Sequence, residues 1–145
     1  MQVKKFVWKA PENELLWSQW MDWDLETKLI PLQMARIVDF ARALSQLHPP
    51  TDKRGTGDIA IRDANAPWNE AVWRITVEAG RVEVTPTPAE AQVEMDIRQA
   101  TQAFFGSPTL DGLHRAERLT VHDERGYHSL QNLFDGPPMG INDDF

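Results

Sequence analysis

The eighteen residues "EAVWRITVEAGRVEVTPT", positions 70–87, restrict the folding of this chain more than any other stretch. Two runs rich in β-branched residues flank Glu78-Ala79-Gly80. In the first run Trp73 and Ile75 fall on one face and Val72 and Arg74 on the other, as a half-buried strand requires. A tight turn at Glu78-Ala79-Gly80 joins the runs as a hairpin. "GDIAIRD" precedes it as another strand. "QVEMDI" follows as a fourth, with Val93, Met95 and Ile97 alternating against Glu94 and Asp96. Consecutive short strands predict an antiparallel sheet.

On both sides of this β region the period becomes helical. "DIRQATQAFFG" places Ile97, Ala100 and Phe104 on one stripe, with Gly106 as a C-terminal cap. "SPTLDGLHRAER" reads as a short helix opened by Ser107-Pro108. "LTVHD" is a brief strand, and "DERGYHSLQNLFDG" a last helix with Leu130 and Leu133 inward and Gly136 beyond its end. Upstream, Phe40, Leu44 and Leu47 share a helical face that Pro49 and Pro50 end. The residues before them alternate, Met34, Arg36 and Val38 against Ala35 and Ile37, which predicts a strand leading into a helix from about Phe40. "TDKRGTGD" reads as a loop. At the N-terminus "VKKFVWK" suits a strand, and Leu16, Trp17, Trp20 and Trp23 recur at helical spacing. That tryptophan stripe is either core or an interface.

With 145 residues and 41% hydrophobic content, the chain suits one ordinary domain with a real core. No apolar run approaches a membrane span, and "MQVKKFVWKA" lacks the apolar stretch and cleavage site of a secretory signal. A cytoplasmic protein is expected. Cysteine is absent, which removes disulfides, thiolate metal sites and cysteine nucleophiles. A net charge of −7 argues against nucleic acid and suits cationic small molecules as partners.

Sites for chemistry are sparse. His48, His114, His122 and His128 match no metal-ligand spacing, so no metal is expected. "RGTGD" lacks the ending and context of a phosphate loop, and no serine sits in a nucleophile-elbow setting. Arg36 and Asp39 are placed to pair across the start of the first core helix. The closing "INDDF" puts Asp143, Asp144 and the carboxylate of Phe145 together. Either this terminus simply frays, or three negative charges in three residues hold a cationic amine.

"QMARIVDFARAL", "APWNEAVWRI", "MDIRQATQAFFG", "TLDGLHRAERL" and the final "DDF" follow one another in an order that resembles the Eis family of GNAT N-acetyltransferases, over roughly residues 3 to 145. The resemblance is to that family's C-terminal domain, which has a sterol-carrier-protein-like (SCP2-like) fold. It implies an α+β fold with a mainly antiparallel sheet, with allowance for a mixed one, of about five strands packed on several helices. Residues 1–24 would be a remnant of the last acetyltransferase-fold strand and a linker, and 25–145 the SCP2-like domain.

"MQVKK" begins inside a strand of the resembled family, so the resemblance implies a C-terminal piece of a longer protein whose upstream GNAT domains are its partners. The acetyl-CoA signature of those domains is not found here; Arg54 to Ile59 comes closest and fails at Ile59. No cofactor is expected in this piece, and acetyl-CoA in the full-length enzyme, with an amine-bearing small molecule or peptide as acceptor. By the same resemblance the Phe145 carboxylate is the general base toward that amine, with Asp143 and Asp144 binding it. The piece alone should be inactive, and a homo-oligomer is allowed for. In "APWN" the resemblance makes Trp68 part of a hydrophobic turn, with Pro67 fixing φ and Asn69 satisfying local backbone donors. The competing function is a stand-alone carrier of lipid or another hydrophobic ligand. It needs an apolar cavity that Phe104, Phe105, Leu113, Leu130, Leu133 and Phe134 are bulky enough to fill.

Overall fold

The computed structural model describes residues 34–134, together with the isolated positions 7, 26 and 28. The predicted N-terminal strand, the tryptophan stripe, Gly136 and the boundary between residues 24 and 25 lie outside the described residues.

The hairpin forms as its sequence predicts, from β2 (Ala71–Glu78) and β3 (Arg81–Pro86). Glu78 pairs with Arg81, so the turn is the two residues Ala79 and Gly80, with φ of 50° and 76°. Two consecutive positive φ values are the backbone of a primed turn, whose twist matches that of the flanking strands. Ile75 and Val77 go into the core, while Arg74 and Glu78 face out.

β1 (Gly55–Arg62) pairs antiparallel with β2 and parallel with β4 (Val93–Asp96), and β5 (Thr120–Val121) closes the far side. The five-stranded order is therefore β3-β2-β1-β4-β5, mixed but mostly antiparallel. β4 runs parallel because the chain crosses from β3 at one edge to the other side of β1 before pairing.

Among the described residues four α-helices complete the α+β fold: α1 (Phe40–Ser45), α2 (Ile97–Phe105), α3 (Leu110–Arg115) and α4 (Glu124–Phe134). Gly106 ends α2 in the left-handed conformation, as its position predicts. α3 starts later than Ser107-Pro108 suggests, because the Thr109 hydroxyl caps it by accepting the Gly112 N–H. α1, α2, α3 and α4 contribute Phe40, Ala100, Leu113 and Leu130 to one core with Ile59, Ile75 and Val93 of the sheet.

Two expectations need correction. Residues 34–38 form no strand, although Ile37 is buried and its neighbours exposed as strand alternation would have it. Their backbone is anchored by side chains instead of a ladder, as described below. β1 starts two residues earlier than the predicted strand: Gly55 and Thr56, read as loop, lie in it, as do Gly57 and Asp58, on which the loop and strand readings overlapped. Gly57 is glycine for close approach: a Cβ there would sit 2.6 Å from Leu130 Cγ of α4.

Candidate functional site

Asp143, Asp144 and Phe145, the predicted acceptor and base groups, lie outside the described residues. The constellation that the described residues do assemble is built where residues 36–40 meet the turn after β1.

That turn is a short 3₁₀ helix, Pro67–Asn69, with Pro67 at its first position, where a missing N–H costs nothing. It presents Asn69 inward and Trp68 outward. The Asn69 side chain is 1% exposed. Its Oδ1 accepts the Phe40 N–H at 2.9 Å, and its Nδ2 donates to the Val38 carbonyl at 3.0 Å and to Asp63 Oδ2 at 2.9 Å. Asn69 thus satisfies donors as expected, but the donor is 29 residues away rather than local.

Asp63, also 1% exposed, accepts from Arg36 Nη2 at 2.6 Å and from the Asn65 N–H at 3.2 Å. Burial alone would raise its pKa. The hydrogen bonds from Asn69, Arg36 and the Asn65 N–H, with the charge of Arg36, outweigh that and hold the carboxyl below its ordinary value. Arg36 therefore pairs with Asp63 and not, as its spacing suggested, with Asp39. Asp39 instead caps α1, its Oδ1 accepting the Arg42 N–H at 2.9 Å. One further anchor, the Ile37 N–H on Thr101 Oγ1 at 3.2 Å, ties the same stretch to α2.

Trp68 is 62% exposed. Its indole N–H donates to the Val38 carbonyl at 2.9 Å, so the ring is held by its polar edge and offers its apolar faces to solvent. Beside it, a cleft of about 450 Å³ runs between residues 36–46 and Phe104-Phe105, whose rings meet edge to face at 5.3 Å.

Chemically this constellation holds residues 36–40 in place. The charges of Asp63 and Arg36 are committed to each other, and the Asn69 amide to backbone. Arg54 leads straight into β1, so the glycines of Arg54 to Ile59 pair in a sheet rather than open a helix whose N–H groups could take a pyrophosphate. The histidines are dispersed. His48 meets the Gln46 carbonyl, His114 lies against the Tyr127 ring, His122 is 3.8 Å from Glu94, and His128 faces Gln131. Among the described residues, no group of three His, Cys, Asp or Glu could hold a metal ion, and no helix is long and apolar enough to cross a membrane.

The space between sheet and helices is occupied by packed side chains. Leu113 and Leu130 are fully buried, and Phe104, Leu133 and Phe134 pack partly buried against them. Sequence reasoning missed Asp63 as part of any site. The available signal was an Asp six residues before an Asn across a Pro-containing turn.

A family model described as a sterol carrier protein domain matches residues 40–139. No curated protein matches the chain. Among solved structures, a GCN5-related N-acetyltransferase from Anabaena variabilis is 20% identical with a TM-score of 0.66, over 71% of this chain and 26% of its own. Eis1 from Mycobacterium abscessus is 21% identical with a TM-score of 0.59, over 73% and 26%. A probable N-acyltransferase from Enterococcus faecalis is 32% identical with a TM-score of 0.59, over 67% and 24%. The chain spans about a quarter of the length of these solved structures.

Proposed function

This chain belongs to the family of sterol carrier protein domains, and from that premise we propose that it acts as the C-terminal domain of an Eis-like GNAT N-acetyltransferase. One observation carries the proposal. The same fold occupies about a quarter of longer proteins that are N-acetyltransferases, Eis1 among them. Recognition of acetyl-CoA would belong to the preceding part of the polypeptide, since Arg54 to Ile59 do not suit it.

The domain's own chemical contribution would be its tail. A free α-carboxylate has a pKa of about 3.5 and is a weak base in water. Set among other anions or out of solvent, it is pushed up and becomes able to take a proton from an ammonium acceptor. Asp143 and Asp144 would supply the anions and attract the cation. A carrier role would require open apolar space where Leu113 and Leu130 are packed, which makes the transferase role the better supported of the two.

Two measurements test this. An immunoblot of source cells against the domain should find a polypeptide far heavier than 16.6 kDa; a band at that mass overturns the proposal. In the heavier polypeptide, one residue added after Phe145 should slow acetyl transfer to an amine by about 10²-fold or more, the usual contribution of a positioned base. An unchanged rate would remove the tail from the mechanism while leaving the domain assignment intact.

A further inference from the structure

We infer that the face formed by Val38, Trp68 and the adjoining cleft is the surface on which this domain packs against an acetyltransferase domain that precedes it in the same polypeptide. The inference rests on the function proposed above and adds to it the face and the anchoring residues.

Val38 is 68% and Trp68 62% exposed, and Met34, four residues earlier, is fully so. Val38 also lines the cleft together with Phe104 and Phe105, and its carbonyl holds the Trp68 indole beside it. Single exposed apolar residues need no explanation, but an exposed valine and tryptophan joined by a hydrogen bond, beside a cleft edged by Arg36, Asp39, Arg42 and Gln46, mark an interaction site.

Trp68 is also fixed in advance. Pro67 sets the turn, Asn69 beneath it is locked by three hydrogen bonds, and the indole N–H is already satisfied by Val38. A partner would bury the ring without leaving a polar group unpaired and with little conformational entropy to remove.

The occupant is argued from the chain itself. Residues 34–38, through which the polypeptide reaches the described fold, are part of this face. In the solved relatives the matched fold is 26% of the chain, so about three quarters of the length lies elsewhere. A domain joined through residues 1–33 is tethered to this face and meets it at an effective concentration that a free partner lacks.

The test places the photo-crosslinking residue p-benzoylphenylalanine at position 68 of the native-length polypeptide, with position 83 on the exposed side of β3 as control. The expected result is crosslinking from 68, several-fold above that from 83, to residues preceding Met1 of the same polypeptide. Crosslinks only to residues 1–33, only to a second copy, or none above control overturn the inference. Should the substituted protein not fold, Val38→Cys carrying a thiol-linked photo-crosslinker serves equally, in a polypeptide whose preceding part has had any cysteines replaced, these 145 residues having none. A heavy polypeptide without the crosslink removes only this inference. A native polypeptide of 16.6 kDa removes the proposed function as well.

Discussion

Asn69 joins three groups, of which the Phe40 N–H and Asp63 Oδ2 would otherwise be buried without these bonds, while the Val38 carbonyl also accepts from Trp68. Leaving one buried polar group unsatisfied costs about 1–3 kcal/mol. Asn69→Ala strands more than one and should cost about 3 kcal/mol in urea unfolding. Asn69→Asp keeps an acceptor for the Phe40 N–H but turns a second oxygen toward Asp63 and the Val38 carbonyl, so it should be no milder. If Asn69→Asp proved nearly neutral, the amide would not be the link described. Gly57 makes the opposite kind of demand, for space. A methyl group there, 2.6 Å from Leu130 Cγ, overpacks the contact of β1 with α4. Gly57→Ala should cost about 1–3 kcal/mol, and less in a Leu130→Ala background, where the methyl has room.

At the scale of elements, the β2–β3 turn leaves stability unused. Ala79 holds φ of 50° with a side chain that gains nothing from it, whereas primed two-residue turns favour Asn-Gly. Ala79→Asn should raise stability by about 0.5–1 kcal/mol, read as a higher thermal midpoint, because Asn tolerates this conformation. A lower midpoint would mean that Ala79 makes contacts the turn geometry does not reveal. The hairpin was legible in the sequence because its alternation and its turn are both local. So were α2, with its stripe and its Gly106 end signal, and α4, with its stripe. The stretch at 34–38 was misread for the converse reason. Its apolar alternation is not carried into burial, since Ala35 is exposed and Ile37 alone of the five is buried, and the groups holding its backbone, Thr101 and Asn69, come from distant parts of the chain and leave no periodic mark. Gly57 fell within both a loop and a strand reading because a glycine required by packing and one required by a positive φ are the same letter. Arg36 was given the wrong partner since Asp39 is near in sequence, while Asp63, 27 residues on, is near in space.

For the whole molecule, these buried and capped carboxylates set how the fold responds to acid. Asp63 and Asp96 both have folded pKa values below the ordinary one. In each, burial acts upward and is outweighed, by bonds from Asn69 and Arg36 in Asp63 and by the Arg98 side chain and N–H in Asp96. A carboxylate depressed in the native state contributes stability that is fully present above its unfolded pKa of about 3.9 and is lost as pH falls through the lower folded value. Unfolding free energy should therefore hold roughly level from neutrality to about pH 5 and fall below about pH 4. The net charge of −7 shrinks over the first acid units, so relief of self-repulsion works against an early decline. Salt separates the two groups. The Asp96 side chain is 36% exposed and its pair with Arg98 is screened, whereas Asp63 at 1% is shielded from solvent ions. Most of the acid limb should then survive at high ionic strength and flatten in Asp63→Asn, itself less stable at pH 7 through the weakened Arg36 contact. An acid limb that salt abolishes, or that Asp63→Asn leaves unchanged, would assign the response to surface carboxylates and detach it from the link that holds residues 36–40 in place.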